Sequence, residues 1–194
     1  MYRALSISLS VLLVSCVTAP SYQNLQGGER VEQPGVSFVL PTGQKWSAIM
    51  RSTYQIAFGA LGMPKNDTVI VSSTVYNIDP PASKEEFLKT LQKRRSSEPN
   101  TGRFEVIQNT EQVYEDRSET CVIYRSASKD FGAEAKRGGQ YSVLEMLGMH
   151  CVHPDKPNIG IQVEFSRKAP PETTYPQFEN TGLTILQSVK FGEF

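Results

Sequence analysis

The chain lacks an excess of charge of either sign: its 194 residues carry 20 Lys and Arg against 20 Asp and Glu. That balance excludes the strong basic footprint with which nucleic-acid binders neutralise phosphates, so no nucleic-acid partner is expected. Histidine is scarce, at 2 residues, and both fall within His150–Cys151–Val152–His153. There is no G-x-S-x-G elbow for a serine hydrolase. There is also no H-E-x-x-H, which would set two metal ligands and a general base on one helical face. The paired carboxylates Glu85–Glu86 and Glu115–Asp116 are adjacent in sequence, so their side chains point apart on a helix or strand and neither pair forms an acid–base couple. No catalytic residue, and hence no enzyme, is expected from these patterns, and no cofactor either.

Long hydrophobic runs are also missing. The longest apolar stretch, residues 4–14, has the length of a signal-peptide h-region and falls short of the ~20 residues a membrane-spanning helix needs. It follows Arg3 and ends in Leu13–Val14–Ser15–Cys16. This ending resembles the lipobox of bacterial lipoprotein signal peptides. The resemblance implies diacylglycerol on the Cys16 thiol, cleavage before Cys16 and acylation of the new amino group. Two or three acyl chains, each methylene contributing about 0.8 kcal/mol, give a stable anchor where one is marginal. Val17 stands where an aspartate would retain such a protein at the inner membrane, so the resemblance implies the outer membrane, facing the periplasm. An ordinary secretory signal with an incidental Cys16 is the plainer alternative.

With 39% hydrophobic and 21% charged residues, the composition suits one globular domain beyond this leader. Residues 17–34 show no apolar periodicity and are rich in Pro, Gly, Ser, Asn and Gln. They read as a flexible tether that reaches roughly 60 Å when extended and about 25 Å as a coil. The expected organisation is a signal peptide over 1–15, a lipidated N-terminus and tether over 16–34, and a single domain over 35–194.

Within that domain, Val36, Phe38 and Leu40 mark a strand, and Pro41–Thr42–Gly43 a turn. Residues 45–50 are expected to pair back on it, and residues 54–61 fit neither helix nor strand period. Residues 68–78 are β-branched and read as a strand. Ser83 and Glu86 form a capping box ahead of a helix with Phe87, Leu88 and Leu91 on its apolar face. Strands are expected over 104–107, 141–152 and 158–166, with a hairpin linking 112–114 to 120–126. Phe178, Gly182, Ile185 and Val189 share one face of a closing helix over 176–188. The pattern predicts an α+β fold, an antiparallel sheet with helices packed on its faces.

The element order resembles the PsbP-like fold. The similarity lies in the GVSFVLPTGQKW opening with Trp46, the mid-chain Ser–x–x–Glu helix and the closing Ile185–Leu186–Gln187–Ser188–Val189–Lys190–Phe191 segment, read as helix. That fold is shared by the photosystem PsbP subunit, nuclear Mog proteins and various bacterial lipoproteins. It implies an accessory or binding protein of the envelope and transfers no functional residue.

Cysteine is limited to 3 residues. With Cys16 set aside, Cys121 and Cys151 lie in strand patterns, and in an oxidising periplasm such a pair is expected to form a disulfide. The alternative is a metal site of Cys121, Cys151 and His153, since alternation puts Cys151 and His153 on one side of a strand and His150 on the other. Its paired ligand spacing is missing, and His153, just before Pro154, reads as an exposed strand end. Residues 58–65 are only superficially like a phosphate loop, because Pro64 removes one donor amide. Asn66–Asp67–Thr68 matches a glycosylation sequon that a bacterial lipoprotein rarely uses. The basic run Lys89, Lys93, Arg94 and Arg95 reads as a solvated helix face and C-terminal turn, with an anionic-lipid contact as the alternative. The leading reading is a lipid-anchored, non-catalytic module that binds a protein or other component of the envelope. A small hydrolase assembled from scattered residues and a Cys/His metal protein are the alternatives.

Overall fold

Alternation of apolar and polar side chains builds the main sheet. In β10 (Lys156–Ala169), Ile161, Val163 and Phe165 are buried, while Gln162, Glu164 and Ser166 on the other face remain partly accessible. The computed structural model describes residues 24–97, 102–132 and 140–194. The expected signal peptide, Cys16 and Val17 lie outside the described residues.

The main sheet has eight antiparallel strands. In spatial order they are β1 (Asn24–Gln26), β4 (Lys45–Arg51), β5 (Gln55–Ala60), β6 (Thr68–Asn77), β10, β9 (Ser142–His153), β8 (Cys121–Asp130) and β7 (Phe104–Val113). A second sheet has three strands, β11 (Lys190–Phe191), β3 (Val36–Val39) and β2 (Arg30–Gln33). With helices α1 (Lys84–Ser96) and α2 (Phe178–Ser188), the protein is an α+β structure.

The two faces of the main sheet differ. One carries the principal core, where Leu147, Met149, Val163 and Phe165 pack with Phe38 of β3 and with Ile185 and Leu186 of α2. Each such side chain contributes roughly 1.5–3 kcal/mol by leaving water. The rings of Phe165 and Phe178 stack at 5.0 Å between centroids. A Cβ on Gly182 would lie 2.6 Å from Leu147 Cδ2, so glycine here sets how closely α2 approaches β9. Helix α1 lies on the opposite face, with Phe87 and Leu91 against Val122 and Val152. Its start obeys the capping pattern: Ser83 Oγ accepts from the Glu86 amide at 3.2 Å. The reciprocal bond falls one residue earlier, because the Glu86 carboxylate accepts from the Ala82 amide at 2.6 Å.

Cys121 and Cys151 stand directly opposite each other, with their sulfurs bonded. The Val152 amide donates to Thr120 O at 2.9 Å, so 121 and 151 form a non-hydrogen-bonded pair. That is where antiparallel strands come closest, and the Cα atoms are 4.1 Å apart.

Several expectations are corrected. Residues 24–26 and 30–33, assigned to the tether, are strands, because Val31 and Gln33 turn inward and are buried. Strand β4 pairs with β1 and β5 rather than returning along β3, which pairs with β2 and β11. The ambiguous 54–61 stretch is β5, whose Ile56, Ala57 and Phe58 are all buried. The pieces expected at 104–107 and 112–114 are one strand, β7, interrupted by a bulge between Val106 and Gln108. The segment 185–191 leaves the helix at Val189, which is extended, and ends in β11. Residues 58–65 are the end of β5 and a turn, with no helix behind them to complete a phosphate loop.

Candidate functional site

The site lies on the α1 face of the sheet, where the outward positions of four strands meet. Tyr76 of β6, Gln162 and Glu164 of β10, His150 of β9 and Tyr124 of β8 all point to this side. Register places Gln162 beside His150, and Glu164 beside Gly148 and then Tyr124.

Two glycines make their convergence possible. A Cβ on Gly148 would lie 2.4 Å from the Tyr124 hydroxyl oxygen, and one on Gly160 would lie 2.5 Å from Tyr76 Cε2. Each tyrosine therefore lies across a bare stretch of the adjacent strand, the situation in which a strand glycine marks a close approach. Tyr124 crosses β9 to reach β10, where its hydroxyl donates to Glu164 Oε2 at 2.5 Å and accepts from Gln162 Nε2 at 2.6 Å. Tyr76 crosses β10 to reach β9, where its hydroxyl lies 2.9 Å from His150 Nδ1. The imidazole in turn stacks on Tyr124 at 5.2 Å between centroids.

Electrostatics fixes the protonation of this cluster. Burial, reinforced by the Arg95 and Arg94 charges, pushes His150 down to about 4, so the ring is neutral at pH 7. Burial pushes the Tyr76 phenol well above its usual value, and burial followed by the Glu164 charge does the same to Tyr124. Glu164 is raised by burial against the opposing pull of the Tyr124 hydrogen bond and Arg95. The protonated phenol and the neutral imidazole thus share one hydrogen bond at Nδ1, its direction set by the ring tautomer. His150 and the two phenols are thereby held in their neutral forms near pH 7, and burial moves the Glu164 carboxyl in the same direction.

Helix α1 ends above this cluster. Arg94 lies 5.6 Å from the Tyr76 ring centroid and Arg95 5.6 Å from that of Tyr124, both cation–π contacts. Arg95 also pairs with Glu111 of β7 and donates to Asn109 Oδ1 at 2.7 Å. The last turn of α1 is therefore more than a solvated face, because its two arginines roof a site.

Beyond the helix end the described residues leave a cavity of about 860 Å³ between the sheet face and β7. Its far floor is Leu144 and Met146 of β9, with Ser126 and Ser128 of β8 beside them and Val106 and Phe104 at the rim. Ser126 Oγ is buried there with no hydrogen-bond partner among the described residues. Such an orphaned hydroxyl costs roughly 1–3 kcal/mol unless something meets it.

The residues singled out in the sequence lie elsewhere. Cys121 and Cys151 are buried on the core face, and their disulfide removes both thiolates from the ligand set Cys121, Cys151 and His153. His153 is buried at 1% exposure rather than an exposed strand end. The C-terminal segment folds over it: Nε2 donates to Gly192 O at 3.0 Å, Nδ1 accepts from the Asp155 amide at 3.2 Å, and Phe191 and Phe194 meet the ring edge-on. Among the described residues no three His, Cys, Asp or Glu side chains are grouped to hold a metal ion. Glu115 and Asp116 fall in the β7–β8 turn, as expected. The cluster of Tyr76, Tyr124, His150, Gln162 and Glu164 escaped the reading of the sequence. Its signal was the pair of glycines inside two otherwise regular strands.

The fold and the site together describe an α+β protein with a polar, aromatic-lined cavity between one helix and a sheet. No protein-family model matches the chain, and no curated protein matches it. Two solved structures are similar in backbone. One is a Bacteroides thetaiotaomicron protein, with a TM-score of 0.45 and 10% identity over 87% of this chain. The chain spans 50% of the length of that protein. The other is the Saccharomyces cerevisiae Ran-binding protein Mog1p, with a TM-score of 0.45 and 12% identity over 89% of this chain and 97% of that one.

Proposed function

We propose that this chain is a lipid-anchored module of the bacterial envelope that binds a small ligand without transforming it, in the cavity between α1 and the sheet. The anchor reading rests on the Leu13–Val14–Ser15–Cys16 pattern, and the PsbP-like reading of the body on its element order around Trp46 and the mid-chain helix. The observation that carries the binding function is the cavity itself. About 860 Å³ falls within the ~300–1,000 Å³ of small-molecule pockets, and an apolar floor with a few convergent polar groups is their usual lining. A protein partner at the membrane is compatible with this role, the ligand then controlling or accompanying the contact.

Native mass spectrometry of the full-length protein extracted from membranes tests the reading. The wild type is expected to retain a bound small molecule, and Met146→Trp, which fills the floor from a half-buried position, to lose it. Equal occupancy of the two proteins, or an empty wild type, overturns it.

A further inference from the structure

The cavity has two unlike poles, and their order is set by strand register. At one end lie His150 and Gln162 in one cross-strand row and Gly148, Tyr124 and Glu164 in the next. The rows beyond bring Met146 beside Ser126, then Leu144 beside Ser128. Val106 pairs with Ser128 from β7 and is 67% exposed. The lining thus runs from charged and hydrogen-bonding groups under the end of α1 to a rim where Phe104, Val106 and Leu144 predominate, with Glu105 there held by Lys129. A ligand that matches it must be polar at one end and apolar at the other.

The sign of its head group depends on which charges are already answered. Arg95 is paired with Glu111, and Lys129 with Glu105 at 2.7 Å. Glu164 accepts from the Tyr124 hydroxyl, and burial favours its neutral form. Arg94 lies over Tyr76 and has no carboxylate partner among the described residues. Its guanidinium is therefore the unanswered charge at the polar pole. A cationic head group is disfavoured twice, by Arg94 and because the arginines already lie over the tyrosine rings that would otherwise cage it. A phosphate monoester, at about −1.5 to −2 near pH 7, brings more charge than the single guanidinium of Arg94 offsets.

We infer that the cavity takes an amphipathic carboxylate, its head on Arg94 and its apolar chain over Met146, Leu144 and Val106. A guanidinium fork matches the two oxygens of a carboxylate, and a polar group along the chain would meet the orphaned Ser126 hydroxyl. The inference rests on the reading of the cavity as the ligand site.

Isothermal titration of the full-length protein in phosphatidylcholine nanodiscs tests it, with empty nanodiscs subtracting partition into lipid. The probes at pH 7 are octanoate, octanol, octyl phosphate and octyltrimethylammonium, against wild type, Arg94→Gln and Met146→Trp. Octanoate is expected to bind the wild type most tightly. Arg94→Gln should weaken it about tenfold while leaving octanol within about twofold, and Met146→Trp should abolish both. Arg94 is exposed on the helix surface, so its variant tests charge without threatening the fold. If octanol, octyl phosphate or the ammonium binds as tightly as octanoate, or Arg94→Gln leaves octanoate unchanged, the carboxylate assignment fails while the cavity reading stands. If none of the four binds the wild type, the cavity reading itself fails.

Discussion

His150 shows how one half-buried side chain couples this site to stability. It is faced by Tyr76 from β6, Tyr124 from β8, Glu164 from β10 and the two arginines of α1. Burial and those arginines lower its folded-state value from 6.5 to about 4. Between these limits the unfolded chain binds the proton and the folded chain does not, so stability rises with pH across the window and is lost as pH falls through it. Below about 4 both states are charged and the effect ends. The shift sets a ceiling of about 3 kcal/mol. Glu164 acts with opposite sign: its raised value makes the folded state the better proton binder above 4.5, so its contribution declines as pH rises. The difference between wild type and His150→Gln isolates the histidine. Urea unfolding at pH 7 and pH 4 should show the wild-type advantage shrinking by up to about 3 kcal/mol on acidification. A pH-independent difference would show that the ring is not held neutral.

Among the elements, the strands of the main sheet and the two helices were largely legible, because period-2 and period-3.6 patterns reflect the burial of one face. Ile161, Val163 and Phe165 are as clear in β10 as Phe178, Gly182 and Ile185 in α2. Legibility failed where long-range pairing overrides local composition. Residues 24–26 and 30–33 become strands by pairing with β4 and β3, and no local period announces such partners. The site was hidden for the same reason. Gln162, Glu164 and His150 occupy the face that alternation assigns to solvent, and only the placement of α1 and the crossing tyrosines encloses them. The ion pair of Arg167 with Asp67, 2.8 Å long and almost fully buried, links β10 to a turn 100 residues earlier, and the sequon over 66–68 gave no sign of it.

The disulfide between β8 and β9 matches the expectation drawn from the two strand patterns and a periplasmic reading of the leader. It closes a loop of 30 residues that itself carries the cavity floor, worth about 3–4 kcal/mol by the chain-entropy argument. Cys121→Ala with Cys151→Ala should lower Tm by roughly 10 °C in a calorimetric scan. A change of less than about 2 °C would mean that the neighbouring strand pairing alone holds this part of the sheet.

At the scale of the whole molecule, the early start of the sheet shortens the reach of the proposed anchor. Asn24 is already in β1, eight residues beyond Cys16, so covalent geometry allows at most roughly 30 Å between the lipid sulfur and the body. That is half the extended span a tether ending at residue 34 would give. β1 begins opposite Ser47, at the end of β4 that leads to Ile49 and Met50, which are 54% and 46% exposed. On the lipid-anchored reading, this apolar corner is the part of the body that the short connection carries toward the bilayer surface. Two partly exposed side chains cannot replace acyl chains at about 0.8 kcal/mol per methylene, so on that reading attachment rests on Cys16. Intact-mass spectrometry of the membrane-extracted protein should therefore find a chain beginning at Cys16 with added diacylglyceryl and acyl mass. A mass that retains Met1 and carries no lipid would remove the anchor, and with it the reason for placing this body at a membrane.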